Sequence, residues 1–167
     1  MINITDFRNG MSLLGGAVSI ITTHGENGKC GITASAVCSV TDNPPTLLVC
    51  VNRNSWSHAH FVSNKAFCVN VLAAGHESLS GRFADKNVTM DERFTTHKWL
   101  QLETGAPALE EAVVNFDCQI SDSHNVGTHT VFFGVIKSIR FGGSRSGLMY
   151  FNRNYHHLPE NPASSIA

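Results

Sequence analysis

The segment from Gly31 to Val51, GITASAVCSVTDNPPTLLVCV, constrains this chain more than any other. Small and hydroxyl-bearing residues (Thr33, Ala34, Ser35, Ala36, Ser39) lie between apolar, β-branched runs, and Pro44–Pro45 marks a tight turn. Such runs on either side of a turn read as a pair of strands. Small residues also let a backbone approach a ligand closely, and successive N–H groups beside hydroxyls can hold a phosphate. Residue chemistry alone leaves tight packing and ligand binding both open.

The rest of the chain reads in the same style. Phe7, Met11 and Leu14 recur at helical spacing, predicting a helix from Asp6 to Leu14 with Thr5 as its cap and Gly15–Gly16 as its stop. Strands are expected at Ala17–Thr23, Gly31–Val40, Thr46–Asn52 and Ala66–Leu72, with short helices at Ser55–Val62 and His76–Ala84. Thr89 and Glu92 have the spacing of a capping box. Val114, Phe116, Cys118 and Ile120 alternate with polar residues, the pattern of a half-buried strand. His129–Phe141 and Gly147–Phe151 complete the β set. Many short strands with few helices predict a mainly β, antiparallel barrel rather than alternating βαβ units. A single domain over residues 1–158 followed by a loose tail at 159–167 accounts for the whole chain.

Composition narrows the function. A formal net charge of -1 gives no electrostatic case for nucleic acid or an anionic membrane. Only 15 % of residues are charged, which hints at surface covered by self-association. No apolar run approaches the length of a membrane span, and the N-terminus lacks a secretory pattern. The five cysteines, an odd set without a C-x-x-C pair, read as reduced thiols of a cytoplasmic protein. The closest histidine pairs, His58/His60 and His156/His157, lack a Cys or carboxylate at zinc-like spacing, so no metal site is expected. No P-loop and no G-x-G-x-x-G opening a helix is present, so a nicotinamide would have to bind outside a classical dinucleotide domain.

Several separated motifs in order, FRNGMSLLGGAVSIITTHG, GITASAVC, AFCVNVL, GRFADK, VGTHTVFFGVI and GLMYFNRNYHHL, resemble the short-chain flavin reductases, the reductase halves of two-component flavin-dependent monooxygenases. The resemblance covers nearly the whole chain. It implies a Greek-key flavin-binding split β-barrel with a few peripheral helices, a homodimer, and NADH-dependent reduction of FMN or FAD for a separate monooxygenase. It assigns the cofactor site to Thr33, Ala34, Ser35, Ala36, Val37 and Cys38, to Val51, Asn52 and Ser55, and to Arg82 and Phe83. His129 is implied as the catalytic residue beside the flavin and nicotinamide, and Tyr155 as an aromatic neighbour of the nicotinamide. Many relatives carry Asp where this chain has Thr128, so no carboxylate is expected there. Ser55 could instead cap a helix beginning at Trp56, and Phe83 could pack inward with Leu79. Two rival readings are a non-catalytic flavin- or haem-binding module on the same barrel and a purely structural dimerisation domain.

Overall fold

The computed structural model describes residues 1–160. Of the predicted tail, Pro159 and Glu160 carry no regular structure, and the remainder lies outside the described residues. In chain order the elements are α1 (Ile4–Ser12), β1 (Gly16–Ala17), β2 (Ser19–Thr23), β3 (Cys30–Ala34), β4 (Val37–Asp42), β5 (Pro45–Asn52), α2 (His58–Asn64), β6 (Ala66–Val71), α3 (Glu77–Ala84), α4 (Met90–Arg93), β7 (Trp99–Gln101), β8 (Pro107–Leu109), β9 (Val114–Val126), β10 (His129–Phe141), β11 (Gly147–Phe151) and β12 (Asn154–Leu158). The protein is mainly β, as the strand-rich pattern predicts.

Seven strands form one antiparallel sheet in the order β3-β2-β6-β9-β10-β5-β4, flanked by a three-stranded sheet β1-β11-β12 and a small β7-β8 hairpin. Its two outer strands, β3 and β4, are joined by Ser35 and Ala36 alone. Three peptide steps reach at most about 11 Å, so the end of one outer strand lies beside the start of the other. Register shifts at Phe133/Gly134, Ile136/Ser138 and Ser39/Thr41 supply local bending. The single strand predicted over Gly31–Val40 is therefore two strands at opposite ends of the sheet.

Alternation places Ile21, Val49, Val51, Phe67, Val69, Cys118 and Phe132 in one core beneath the large sheet. A second core joins Val18, Ile20, Leu72 and Leu148 to Leu79 and Phe83 of α3 and to Phe94. Buried Asn70 links the two-stranded hairpin to the sheet: its Oδ1 accepts from Leu109 N–H and Asn115 Nδ2, both at 2.8 Å, and its Nδ2 donates to Ile20 O at 2.9 Å. β7, β8 and β12 are too short or too polar to stand out by periodicity.

Two predicted caps are corrected. Asn3, not Thr5, caps α1, its Oδ1 accepting the Thr5 N–H at 2.8 Å. α2 begins at His58 with Ser57 in the capping position, so Ser55 caps no helix. The Thr89–Glu92 capping box forms as expected and opens α4. α1 buries none of its residues. No helix among the described residues is long and apolar enough to cross a membrane.

Candidate active site

A cleft of about 890 Å³ opens between β3, the end of β5, the turn before α2 and the segment linking α3 to α4. It gathers seven of the expected residues: Thr33, Ala34, Val51, Asn52, Ser55, Phe83 and His129. A second cavity of about 410 Å³ is lined by Ser35, Ser80, Tyr150, Arg153 and Tyr155, and it shares Thr33, Ala34 and Ala84 with the first. One stretch of β3 thus forms a wall of both.

Hydrogen bonds fix that wall. Thr33 Oγ1 donates to Ser80 O at 2.6 Å, and the buried Ser80 hydroxyl pairs with Tyr155 Oη at 2.8 Å. Tyr155 in turn meets Tyr150 edge to face at 5.3 Å. Strand β3, helix α3 and strand β12 are held together through the single residue Ser80, which sequence reasoning did not single out. The N–H groups of Ser35 and Ala36 have no protein acceptor among the described residues, which leaves two adjacent donors where the chain passes from β3 to β4.

On the opposite side, Arg53 N–H donates to Thr128 O at 2.9 Å and its guanidinium to Gly127 O at 3.3 Å, fastening the end of β5 to the β9–β10 turn. His129 follows that turn, exposed, with Nδ1 paired to Thr128 Oγ1 at 2.9 Å. Behind it, Thr130 Oγ1 donates to Asn125 Oδ1 at 2.7 Å, so the 2.7 Å contact from His58 Nε2 must be an N–H donation. Burial and the nearby Arg53 charge hold the His58 pKa below the usual histidine range, consistent with that neutral tautomer.

The remaining expected residues fall elsewhere. Ala36, Val37 and Cys38 line neither cavity. Arg82 donates through Nη1 to Glu92 O at 3.1 Å, also outside both. Phe83 is 1 % exposed and packs against Phe94 and Trp99, so it backs the cleft from the core rather than covering a ligand from outside. Packing with Leu79 takes precedence because an aromatic ring on the inner face of α3 gains more by burial than at a wet rim.

Other wall residues come from sequence positions with no motif of their own. Arg93 is 9 % exposed and donates to four main-chain carbonyls: Val88 (3.3 Å), Gly31 (3.0 Å), Phe83 (2.9 Å) and Asp85 (2.7 Å). It pins the 85–89 segment, which carries Lys86, Val88 and Thr89 into the cleft. Neither Lys86 nor Arg93 has a carboxylate within ion-pair distance among the described residues, so the cleft is electropositive. Trp56 stands 66 % exposed at its rim. The only cluster with metal-like composition among the described residues is His76, His97 and Glu111. Nδ1 of His76 accepts the Ala73 N–H at 3.2 Å, which puts the ring proton on Nε2 and opposes ligation there. Burial raises the thiols of Cys30 and Cys118 to about 11 and about 12, which keeps both protonated near neutral pH.

Residues 11–159 match the family model described as a flavin reductase like domain. The chain belongs to the flavin reductase-like family. A flavin reductase-like protein of Variovorax paradoxus (strain S110), named FMN reductase (NADH) RutF, is 50 % identical over 157 residues, covering 94 % of this chain and 87 % of that protein. The protein of the same name from Serratia proteamaculans (strain 568) is 52 % identical over 153 residues, covering 92 % and 87 %. Among solved structures, the NADH:FAD oxidoreductase SgcE6 of Streptomyces globisporus C-1027, in complex with NAD and FAD fragments, superposes with a TM-score of 0.85 at 27 % identity over 98 % of each chain. BorF, the flavin reductase component of a bacterial two-component tryptophan halogenase, gives 0.88 at 26 % identity over 95 % of this chain and 100 % of its own. The flavin reductase-like assignment agrees with the motifs quoted from the sequence.

Proposed function

We propose that this chain is an NADH:flavin oxidoreductase that reduces FMN, with FAD as the alternative flavin, and releases it to a separate monooxygenase component in the cytoplasm. The observation that carries this reading is the pair of adjoining cavities that meet at Thr33, Ala34 and Ala84, so that a flavin in the larger and a nicotinamide in the smaller would stack in contact where the two adjoin. Relatives near 50 % identity bear the name FMN reductase (NADH), which favours FMN and NADH over the alternatives.

The residues present fit a flavin. The cleft volume falls within the range of about 300–1,000 Å³ usual for small-molecule sites. Lys86 offers a cation for a phosphate, Asn52, Asn54 and Ser55 offer polar partners, and the free Ser35 N–H offers a main-chain donor at the smaller cavity. Thr33 and Ala34, being small, allow the close approach that a flat ring needs. A bound flavin supplies the hydride acceptor, which none of the side chains can be. The protein's part is to stack, orient and shield the reactants, since hydride transfer needs no acid or base at the transferred atom. We assign the catalytic role to His129: in the tautomer whose Nδ1 accepts from the Thr128 hydroxyl, Nε2 carries the proton and would donate to the cofactor, balancing developing negative charge. Tyr155, locked by Ser80, orients the nicotinamide.

We read the fold as a split barrel in which the short Ser35–Ala36 link brings the two outer strands together, with Greek-key connections. We also read α1 as part of a homodimer interface. Its Ile4, Phe7 and Met11 lie at helical spacing on one side and are 48–59 % exposed, an apolar stripe that a second copy would cover.

The test is anaerobic: purified protein and NADH with excess FMN or FAD, following both absorbances. Protein-dependent, stoichiometric bleaching of excess flavin is expected. Flavin binding without NADH oxidation would replace the reductase by a binding module, and neither binding nor turnover would reject the site.

A further inference from the structure

The β11–β12 hairpin turns at Asn152 and Arg153, whose φ angles are +48° and +61°. Two consecutive left-handed residues make the tight turn that suits a right-twisted hairpin, and glycine or asparagine fills it at least cost. Asn152 meets that requirement; Arg153 does not. An arginine therefore stands where the backbone favours glycine, and its side chain lines the smaller cavity beside Tyr150 and Tyr155. No other residue lining that cavity is charged. The guanidinium Nη2 donates to Asn9 Oδ1 at 2.7 Å, and the turn itself is tied to α1 by Asn152 N–H donating to Ser12 O at 2.6 Å. Asn9 is neutral, and no carboxylate among the described residues lies within ion-pair distance of Arg153. The result is a cation held in one place at the edge of an otherwise uncharged aromatic pocket, with donors to spare.

We infer that Arg153 recognises the pyrophosphate of the dinucleotide hydride donor and so separates NADH from donors that carry only the nicotinamide ring. This rests on the smaller cavity receiving the nicotinamide, as proposed above. A guanidinium suits the task because its planar donors can engage two phosphate oxygens together.

The experiment compares initial rates of flavin reduction with NADH and with 1-benzyl-1,4-dihydronicotinamide, which has the reactive ring but no phosphate. The variants are Arg153→Gly, Arg153→Gln and Arg153→Lys. The KM for NADH is expected to rise about ten-fold in the Gly and Gln variants, and less in the Lys variant, which keeps the charge. The KM for the benzyl donor is expected to change less than about two-fold, and the Gly variant should melt no lower than the parent because glycine fits this turn. An unchanged KM for NADH, or an equal rise for both donors, overturns the inference. A parent protein that oxidises neither donor would fail earlier, at the reductase reading itself.

Discussion

Replacing Arg93 by Met tests how the cleft is built. Methionine keeps much of the apolar stem and removes every donor. The Asp85 and Val88 carbonyls lie in a segment open enough for water to replace the guanidinium. The Gly31 and Phe83 carbonyls belong to buried residues, and Phe83 lies in the last turn of α3, where carbonyls lack helical partners. Two buried acceptors left unpaired cost about 1–3 kcal/mol each, partly offset because a charge no longer has to be desolvated. A net loss of about 3 kcal/mol is expected, lowering the melting temperature by roughly 6–12 °C for a chain of this size. Loosening the 85–89 segment should also weaken FMN binding about five-fold, because Lys86, Val88 and Thr89 would no longer be held in place before binding. Thermal melts and a fluorescence titration with FMN read the two effects. Arg93→Lys should recover only a minor part, since one ammonium cannot span four carbonyls. A melting temperature within about 2 °C of the parent would refute the assignment of Arg93 as the residue holding this wall.

Other outcomes follow from the same contacts. A Cβ at Gly31 would lie 2.5 Å from Phe83 Cε1 and 3.3 Å from Phe94 Cζ, in an aromatic cluster with no room to yield, so Gly31→Ala should destabilise by about 1–3 kcal/mol in urea denaturation. His76 is held below its ordinary value of 6.5 by burial and then by His97, against smaller opposing effects of Glu111 and Glu77. The unfolded chain therefore takes up this proton first as pH falls, and stability is full above 6.5 and declines below it. His76→Asn should flatten the fall in melting temperature between pH 7 and pH 5; an unchanged slope would clear His76 of that role. Phe7→Asp on the exposed face of α1 should turn a dimer into a monomer in analytical ultracentrifugation, and a dimer of unchanged affinity would place the interface elsewhere.

Much of this protein is determined by local sequence. The strand at Val114–Ile120 and the Thr89–Glu92 capping box form as local sequence predicts, but the polar face of that strand is not wet: Asn115 and Asp117 are fully buried, Asn115 bonded to Asn70 and Asp117 to Thr104. Thr33, Ala34, Val51, Asn52, Ser55 and His129 meet at one cleft because every one of them sits at the end of a strand or in the turn after it. The tertiary structure decided what those signals cannot carry. Ser35 faces the smaller cavity and Ala36–Cys38 face neither, because the chain there leaves one end of the sheet and starts the other, a consequence of seven-strand order rather than of local pattern. Phe83 turned inward because Phe94 and Trp99 stand ready to cover it, and Arg93 became a clamp because carbonyls of residues 31, 83, 85 and 88 converge on it. Periodicity tells which face of a strand is apolar; which distant residues lie across from that face depends on long-range pairing, and there the roles of buried arginines and cavity walls are set.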